Sequence, residues 1–200
     1  IYFLSLTTAI TSGDSLWCFY KALIKLAKEN KEYHLILKPK SVGTIHQDLQ
    51  AQTADLDNFE VIIDLKANDS YQLAQLADLI VGKHTSILEE CLAAGKKVLC
   101  FDNDAYLSSI DYPLKHPGVV VQNYDELRQR SKDILMDGQY LSKEALADLQ
   151  DNYYKYSDLG YGSAKRQIEM LLSKPVFLKK ANEINKPSFT FDFNQAKENV

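Results

Sequence analysis

The segment Gly82-Lys83-His84-Thr85-Ser86-Ile87-Leu88-Glu89-Glu90 gathers the groups best suited to a phosphorylated ligand. Thr85 and Ser86 stand where a turn enters a helix. Unpaired backbone N–H groups and the helix dipole favour an anion there. The two hydroxyls add donors, and His84 could donate to the same phosphate. Glu89 and Glu90 lie one turn into the helix, where one of them could reach a ribose hydroxyl pair. A plainer account fits the same residues. Thr and Ser are common helix caps, and glutamates in a first turn favour the dipole.

Other groups gather at strand ends. Lys38-Pro39-Lys40 closes a strand-like run, and its two cations could meet a phosphate or a sugar carboxylate. Residues 7–13 form a second small, polar loop, with Thr8 and Gly13 as secondary candidates. Asp102-Asn103-Asp104 follows another strand. It could hold a metal, but a fourth oxygen ligand is missing nearby and capping accounts for it better. His116-Pro117 reads as a turn. GxGxxG, GxxxxGK[ST], GxSxG and HExxH are all absent, as is any Cys/His dyad, so a P-loop enzyme or a self-contained hydrolase is not indicated.

The elements that must position these groups alternate. Strands are expected at residues 1–7, 33–37, 61–64, 79–81, 97–101 and 118–121. Residues 82–86 are expected as a turn. Helices are expected from about 16 to 29, 44–52, 68–77, 87–94, 124–136, 143–156 and 163–173. Leu16, Phe19, Tyr20, Leu23, Ile24 and Ala27 recur at helical spacing on one face. Asn68, Asp69 and Ser70 offer caps, and Gly95 closes the helix before it as a C′ residue. Short, uniformly apolar strands separated by helices imply a parallel sheet covered on both faces. The expected fold is α/β: a Rossmann-like, doubly wound sheet of about six strands, then a helical C-terminal region and an extended tail. Strand order 3-2-1-4-5-6 would put a crevice between the first and fourth strands, bordered by loops 7–13 and 82–86. Residues 1–173 form the domain, and residues 174–200 are a tail packing on a neighbouring domain or chain.

The chain has 200 residues, 46% hydrophobic and 25% charged, with a formal net charge of −4. That balance fits a soluble globular domain and gives no basic face for nucleic acid. No apolar run approaches the roughly twenty residues of a spanning helix. Cys18, Cys91 and Cys100 lie in apolar stretches without CxxC spacing and read as buried small hydrophobes in a reducing compartment. The opening at Ile1, inside a strand-like run, suggests a piece of a longer protein.

Residues 33–40 (YHLILKPK) and 76–102 (LADLIVGKHTSILEECLAAGKKVLCFD) together resemble the C-terminal domain of GT-B glycosyltransferases. The likeness is nearest to bacterial Kdo transferases of capsule and lipopolysaccharide synthesis, and more distant to CDP-glycerol glycerophosphotransferases. It covers about residues 1–140. It implies that Thr85 and Ser86 bind donor phosphate. Glu90, rather than Glu89, would touch the ribose, and Lys38 and Lys40 would meet the phosphate or an acidic sugar. Lys40 stands where many relatives carry His, which favours the Lys-Pro-Lys group. Asp102 remains a secondary candidate.

The resemblance implies a metal-independent transferase that uses a nucleotide sugar, CMP-Kdo first, without a cofactor. The general base would come from an N-terminal domain of the same protein. A glycan or glycolipid would be the acceptor, at the inner face of the membrane in the cytoplasm. Three rival readings stay open: a CDP-glycerol-type polymer transferase, a UDP-sugar 2-epimerase domain and a non-catalytic nucleotide-binding domain.

Overall fold

The computed structural model describes residues 2–7, 13–39, 44–62, 67–83, 85–104 and 116–157. Strands Tyr2–Thr7 (β1), His34–Lys38 (β2), Phe59–Val61 (β3), Leu79–Lys83 (β4), Val98–Phe101 (β5) and Val120–Val121 (β6) form one sheet. Its order is β3-β2-β1-β4-β5-β6, with every neighbouring pair parallel. The helices are Gly13–Glu29 (α1), Thr44–Thr53 (α2), Ala67–Leu76 (α3), Ser86–Ala93 (α4), Tyr124–Leu135 (α5) and Lys143–Ser157 (α6). The expected doubly wound α/β fold and its strand order are both present.

Strand alternation divides the core in two. Leu35, Leu37, Leu79, Val81, Leu99 and Phe101 pack with the buried face of α1 and with Leu127 and Ile134 of α5. Ile80, Val98 and Cys100 pack on the other face with Leu73 of α3, Leu88, Cys91 and Leu92 of α4, and Leu149 of α6. Successive strand side chains point to opposite faces, so a strand covered on both sides must be apolar throughout.

α4 ends in a full glycine-terminated motif. Gly95 has φ +77°, its N–H donates to the Leu92 carbonyl at 2.9 Å, and the Lys96 N–H donates to the Cys91 carbonyl at 2.9 Å. α5 opens on Asn123, whose side chain accepts from the Glu126 N–H at 3.0 Å.

Several expected boundaries move. β3 lies at Phe59–Val61 rather than 61–64, because Phe59 is buried opposite Leu35. Asn58 anchors that start: its buried Nδ2 donates to the carbonyls of Ala27 (3.0 Å), Asn30 (3.2 Å) and Tyr33 (3.0 Å). Asn68, Asp69 and Ser70 lie inside α3 instead of capping it. First-turn polar residues suit the amino-terminal dipole without being the cap. β6 shrinks to two residues, because Gly118 and Val119 belong to the turn made by His116. At Val98 a phenol stands beside β5: Tyr140 Oη accepts from the Val98 N–H at 2.9 Å and donates to its carbonyl at 3.0 Å.

Gly82 and Lys83, expected in a turn, continue β4 because β1 runs on to Thr7 and supplies partners, Leu6 for Gly82 and Thr7 for Lys83. Cys91 and Cys100 are buried as expected, but Cys18 is exposed on the outer face of α1. The expected helix at 163–173 and the tail at 174–200 lie outside the described residues.

Candidate functional site

In an open parallel sheet, ligands bind beyond the carboxyl ends of the strands where strand order reverses. Here that point lies between β1 and β4, which end side by side at Thr7 and Lys83. β1 leads towards α1, and β4 leads into α4. Thr8, Lys40 and His84 lie outside the described residues.

Lys83 is the feature that sequence reasoning missed. By alternation it follows Leu79 and Val81 onto the α1 face, and it is fully buried. Its Nζ donates to Asn103 Oδ1 at 2.6 Å and pairs with Asp104 Oδ1 at 3.1 Å. Ser15, in the first turn of α1, donates from Oγ to Asp104 Oδ2 at 2.8 Å, and the same oxygen lies 3.0 Å from Asn103 Oδ1. A buried ammonium is tolerated only when paired and hydrogen-bonded. The cluster ties the ends of β4 and β5 to the start of α1. Asn103 and Asp104, expected as capping residues, meet a buried cation and the Ser15 hydroxyl instead. Asp102 itself is buried, and its N–H donates to the Val121 carbonyl at 2.8 Å. A lysine extending an apolar strand was the available signal. It carried little weight because the strand was expected to stop at Val81.

The start of α4 bears on the capping account. Thr85 is the N-cap in an extended conformation, and its side chain makes no capping hydrogen bond. Ser86 is the exposed first helical residue rather than the cap. Leu88 N–H donates to the Thr85 carbonyl at 3.0 Å. The Thr85 hydroxyl is therefore not spent on closing the helix end, and Ser86 lies outside the cap.

Glu90 is buried, at 7% exposure, while Glu89 is partly exposed. Tyr71, on α3, donates to Glu90 Oε2 at 2.6 Å. Burial pushes the Glu90 carboxyl above its usual range. The Tyr71 bond opposes that rise, and the neighbouring Glu89 adds to it. Lys38 ends β2 and is buried, and Gly13 opens α1 at an exposed position. The arrangement offers hydroxyls, a helix start and a buried carboxylate on neighbouring elements. Among the described residues no cluster of His, Cys, Asp and Glu could hold a metal ion. Cys91 is no nucleophile, because burial pushes its thiol up to about 12.

Solved structures share this architecture. UDP-GlcNAc 2-epimerase from Neisseria meningitidis, bound to UDP-GlcNAc, matches with a TM-score of 0.54 and 15% identity over 86% of this chain and 45% of its own. The catalytic domain of the cholesterol-α-glucosyltransferase from Helicobacter pylori matches with a TM-score of 0.50 and 12% identity, over 78% of this chain and 100% of its own. The wall teichoic acid polymerase TagF, soaked with CDPG, matches with a TM-score of 0.50 and 15% identity, over 86% of this chain and 42% of its own. The fold is the Rossmann-like fold of GT-B enzymes. The chain spans less than half the length of the epimerases it matches. No protein-family model matches it, and no curated protein sequence does. These likenesses establish the fold and leave the donor open. Among the described residues no helix is long and apolar enough to cross a membrane.

Proposed function

We propose that this chain is the nucleotide-sugar-binding half of a glycosyltransferase that builds a bacterial surface polysaccharide or glycolipid. One observation carries the reading. At the strand-order reversal, α4 opens on Thr85 and Ser86 with hydroxyls not used for capping, and Glu90 follows one turn later. The donor pyrophosphate or phosphate sits on the α4 start, held by Thr85, Ser86 and His84. Glu90 accepts from the ribose, and Lys38 and Lys40 meet the phosphate or an acidic sugar. The donor is cytidine-linked, CMP-Kdo first.

Catalysis is electrostatic. Donors fixed at the α4 start stabilise the negative charge that develops on the departing phosphate. An acceptor hydroxyl attacks the anomeric carbon, and a base on another domain of the same protein takes its proton. The acceptor is a glycan or glycolipid, and the enzyme works at the cytoplasmic face of the membrane.

Calorimetry of the full-length protein with CMP, CDP, UDP, GDP and ADP tests the reading. Tight binding of CMP or CDP supports it. Binding of none overturns it. The epimerase likeness favours one second reading, a UDP-sugar 2-epimerase. Selective UDP binding, followed by conversion of UDP-GlcNAc to its 2-epimer, would establish that reading instead.

A further inference from the structure

We propose that Tyr71 is a positioning residue, holding the Glu90 carboxylate so that the site selects ribonucleotides over 2′-deoxyribonucleotides. The inference rests on the nucleotide-binding reading above. It adds to that reading a residue on α3 that lies outside the loops bordering the crevice.

Tyr71 and Glu90 come from successive helices on the same face of the sheet; Tyr71 packs on the core that contains Ile80 and Cys100, and Glu90 is buried beside it. The Tyr71 Oη to Glu90 Oε2 distance is 2.6 Å, within the range of a charge-assisted O–H···O⁻ bond. A glutamate has three rotatable bonds, and its carboxylate plane is otherwise broad in orientation. One strong bond from a rigid aromatic side chain removes much of that freedom. A carboxylate offers about four acceptor positions, and the phenol uses one. The remainder suit a vicinal diol, two hydroxyls a fixed distance apart, when the carboxylate plane is fixed in advance. A ligand without the 2′-hydroxyl leaves a buried acceptor unmet, the situation that gives polar sites their strongest discrimination.

Tyr71 has a second effect on the same group. Its bond favours the ionised carboxylate against the burial that disfavours it. An ionised Glu90 accepts from both hydroxyls, whereas a protonated one offers fewer acceptor positions. Orientation and ionisation therefore act in the same direction.

The test is a thermodynamic cycle between the protein and the sugar. CMP and 2′-deoxy-CMP are titrated by calorimetry into full-length wild type, Tyr71→Phe, Glu90→Gln and the double variant, with a thermal melt of each. Wild type should prefer CMP by about tenfold, the equivalent of one good hydrogen bond. Tyr71→Phe should lower that ratio to about threefold or less while affinity for 2′-deoxy-CMP changes little. Glu90→Gln should lower it as well, and adding Tyr71→Phe to that variant should lower it no further. A Tyr71→Phe protein with a lower melting temperature and an unchanged ratio would show a structural tie alone and overturn the inference. A wild type that binds both nucleotides equally would overturn it without any variant. A wild type that binds no nucleotide would overturn the function proposed above and this inference with it.

Discussion

Replacing Glu90 with Gln should make the protein more stable and a poorer nucleotide binder. The glutamine keeps an acceptor oxygen for the Tyr71 phenol, which lies 2.6 Å from Glu90 Oε2. That bond falls from a charge-assisted one of about 1.5–3 kcal/mol to a neutral one of about 0.5–1.5 kcal/mol, a loss of about 1 kcal/mol. Against it stands the desolvation of a carboxylate with 7% of its surface exposed. For a buried ion that penalty is on the order of several kcal/mol. Burial is the largest influence on Glu90 and the net shift is upward, so relief of desolvation outweighs the weaker bond.

A net gain at neutral pH is expected, read as a higher melting temperature at roughly 2–4 °C for each kcal/mol. The pH dependence fixes the cause. The folded-state pKa lies above the ordinary carboxylate value of 4.5. Well below that value Glu90 is protonated in both folded and unfolded states and carries no ionic burial cost. As pH rises through the raised folded value, the unfolded state has already released its proton and wild-type stability falls. The glutamine protein has no such fall. Its advantage should therefore be small below the ordinary carboxylate value and grow as pH rises through the raised folded one. Urea melts of both proteins across that range measure it, and calorimetry should show about tenfold weaker CMP binding. A variant less stable than wild type at neutral pH, or a stability difference that ignores pH, would refute the reasoning.

Three further outcomes are expected. Ser86→Ala should shift stability by less than about 0.5 kcal/mol, since Ser86 is exposed and outside the cap; nucleotide affinity should fall by about 1.5–3 kcal/mol, and calorimetry beside a melt separates the two. Asn58→Ala removes an amide shared by three backbone carbonyls of α1, the turn after it and the approach to β2, so it should cost about 2–3 kcal/mol in urea melts, with nucleotide affinity per folded molecule unchanged. Asp104→Ala takes a partly exposed carboxylate from the fully buried Lys83, which keeps Asn103, and should cost about 1.5–3 kcal/mol, and adding Lys83→Met should recover most of it, because the thioether needs no counter-charge; a double variant no more stable than the single one would refute the pairing.

The fold was legible because its signals agree at several levels. Residues 16–27 carry one helical face, apolar runs of three or four residues carry the strands, and Gly95 marks a helix end by a backbone conformation that side chains disfavour. The strand order is the one that a doubly wound nucleotide-binding half takes. What failed was extent. A strand ends where its neighbour ends, so Gly82-Lys83 read as a turn locally and became strand because β1 continues to Thr7. The same non-local pairing hid Lys83 from the list of site residues, since a lysine in a turn is solvated and a lysine in this strand is not. Asn58 was equally silent, because its meaning depends on three carbonyls that come together only after folding. Glu90 was legible as a candidate, but its phenolic partner on the preceding helix was not.

Tyr140 has a bearing on life at high concentration. β6 covers Cys100 and Phe101 of β5, and the phenol takes both backbone groups of Val98 beside them. An uncovered N–H and C=O on a sheet margin is a template on which another molecule can add a strand. The phenol blocks that template with one atom that must donate and accept at once. Burial pushes its pKa up to about 12, so the proton it needs stays in place across the physiological range. The guard on this margin is thus indifferent to pH, and it lies in the link between α5 and α6, at the opposite end of β5 from Asn103 and Asp104. Selection against aggregation and selection for ligand binding can therefore act on different residues of the same strand's surroundings.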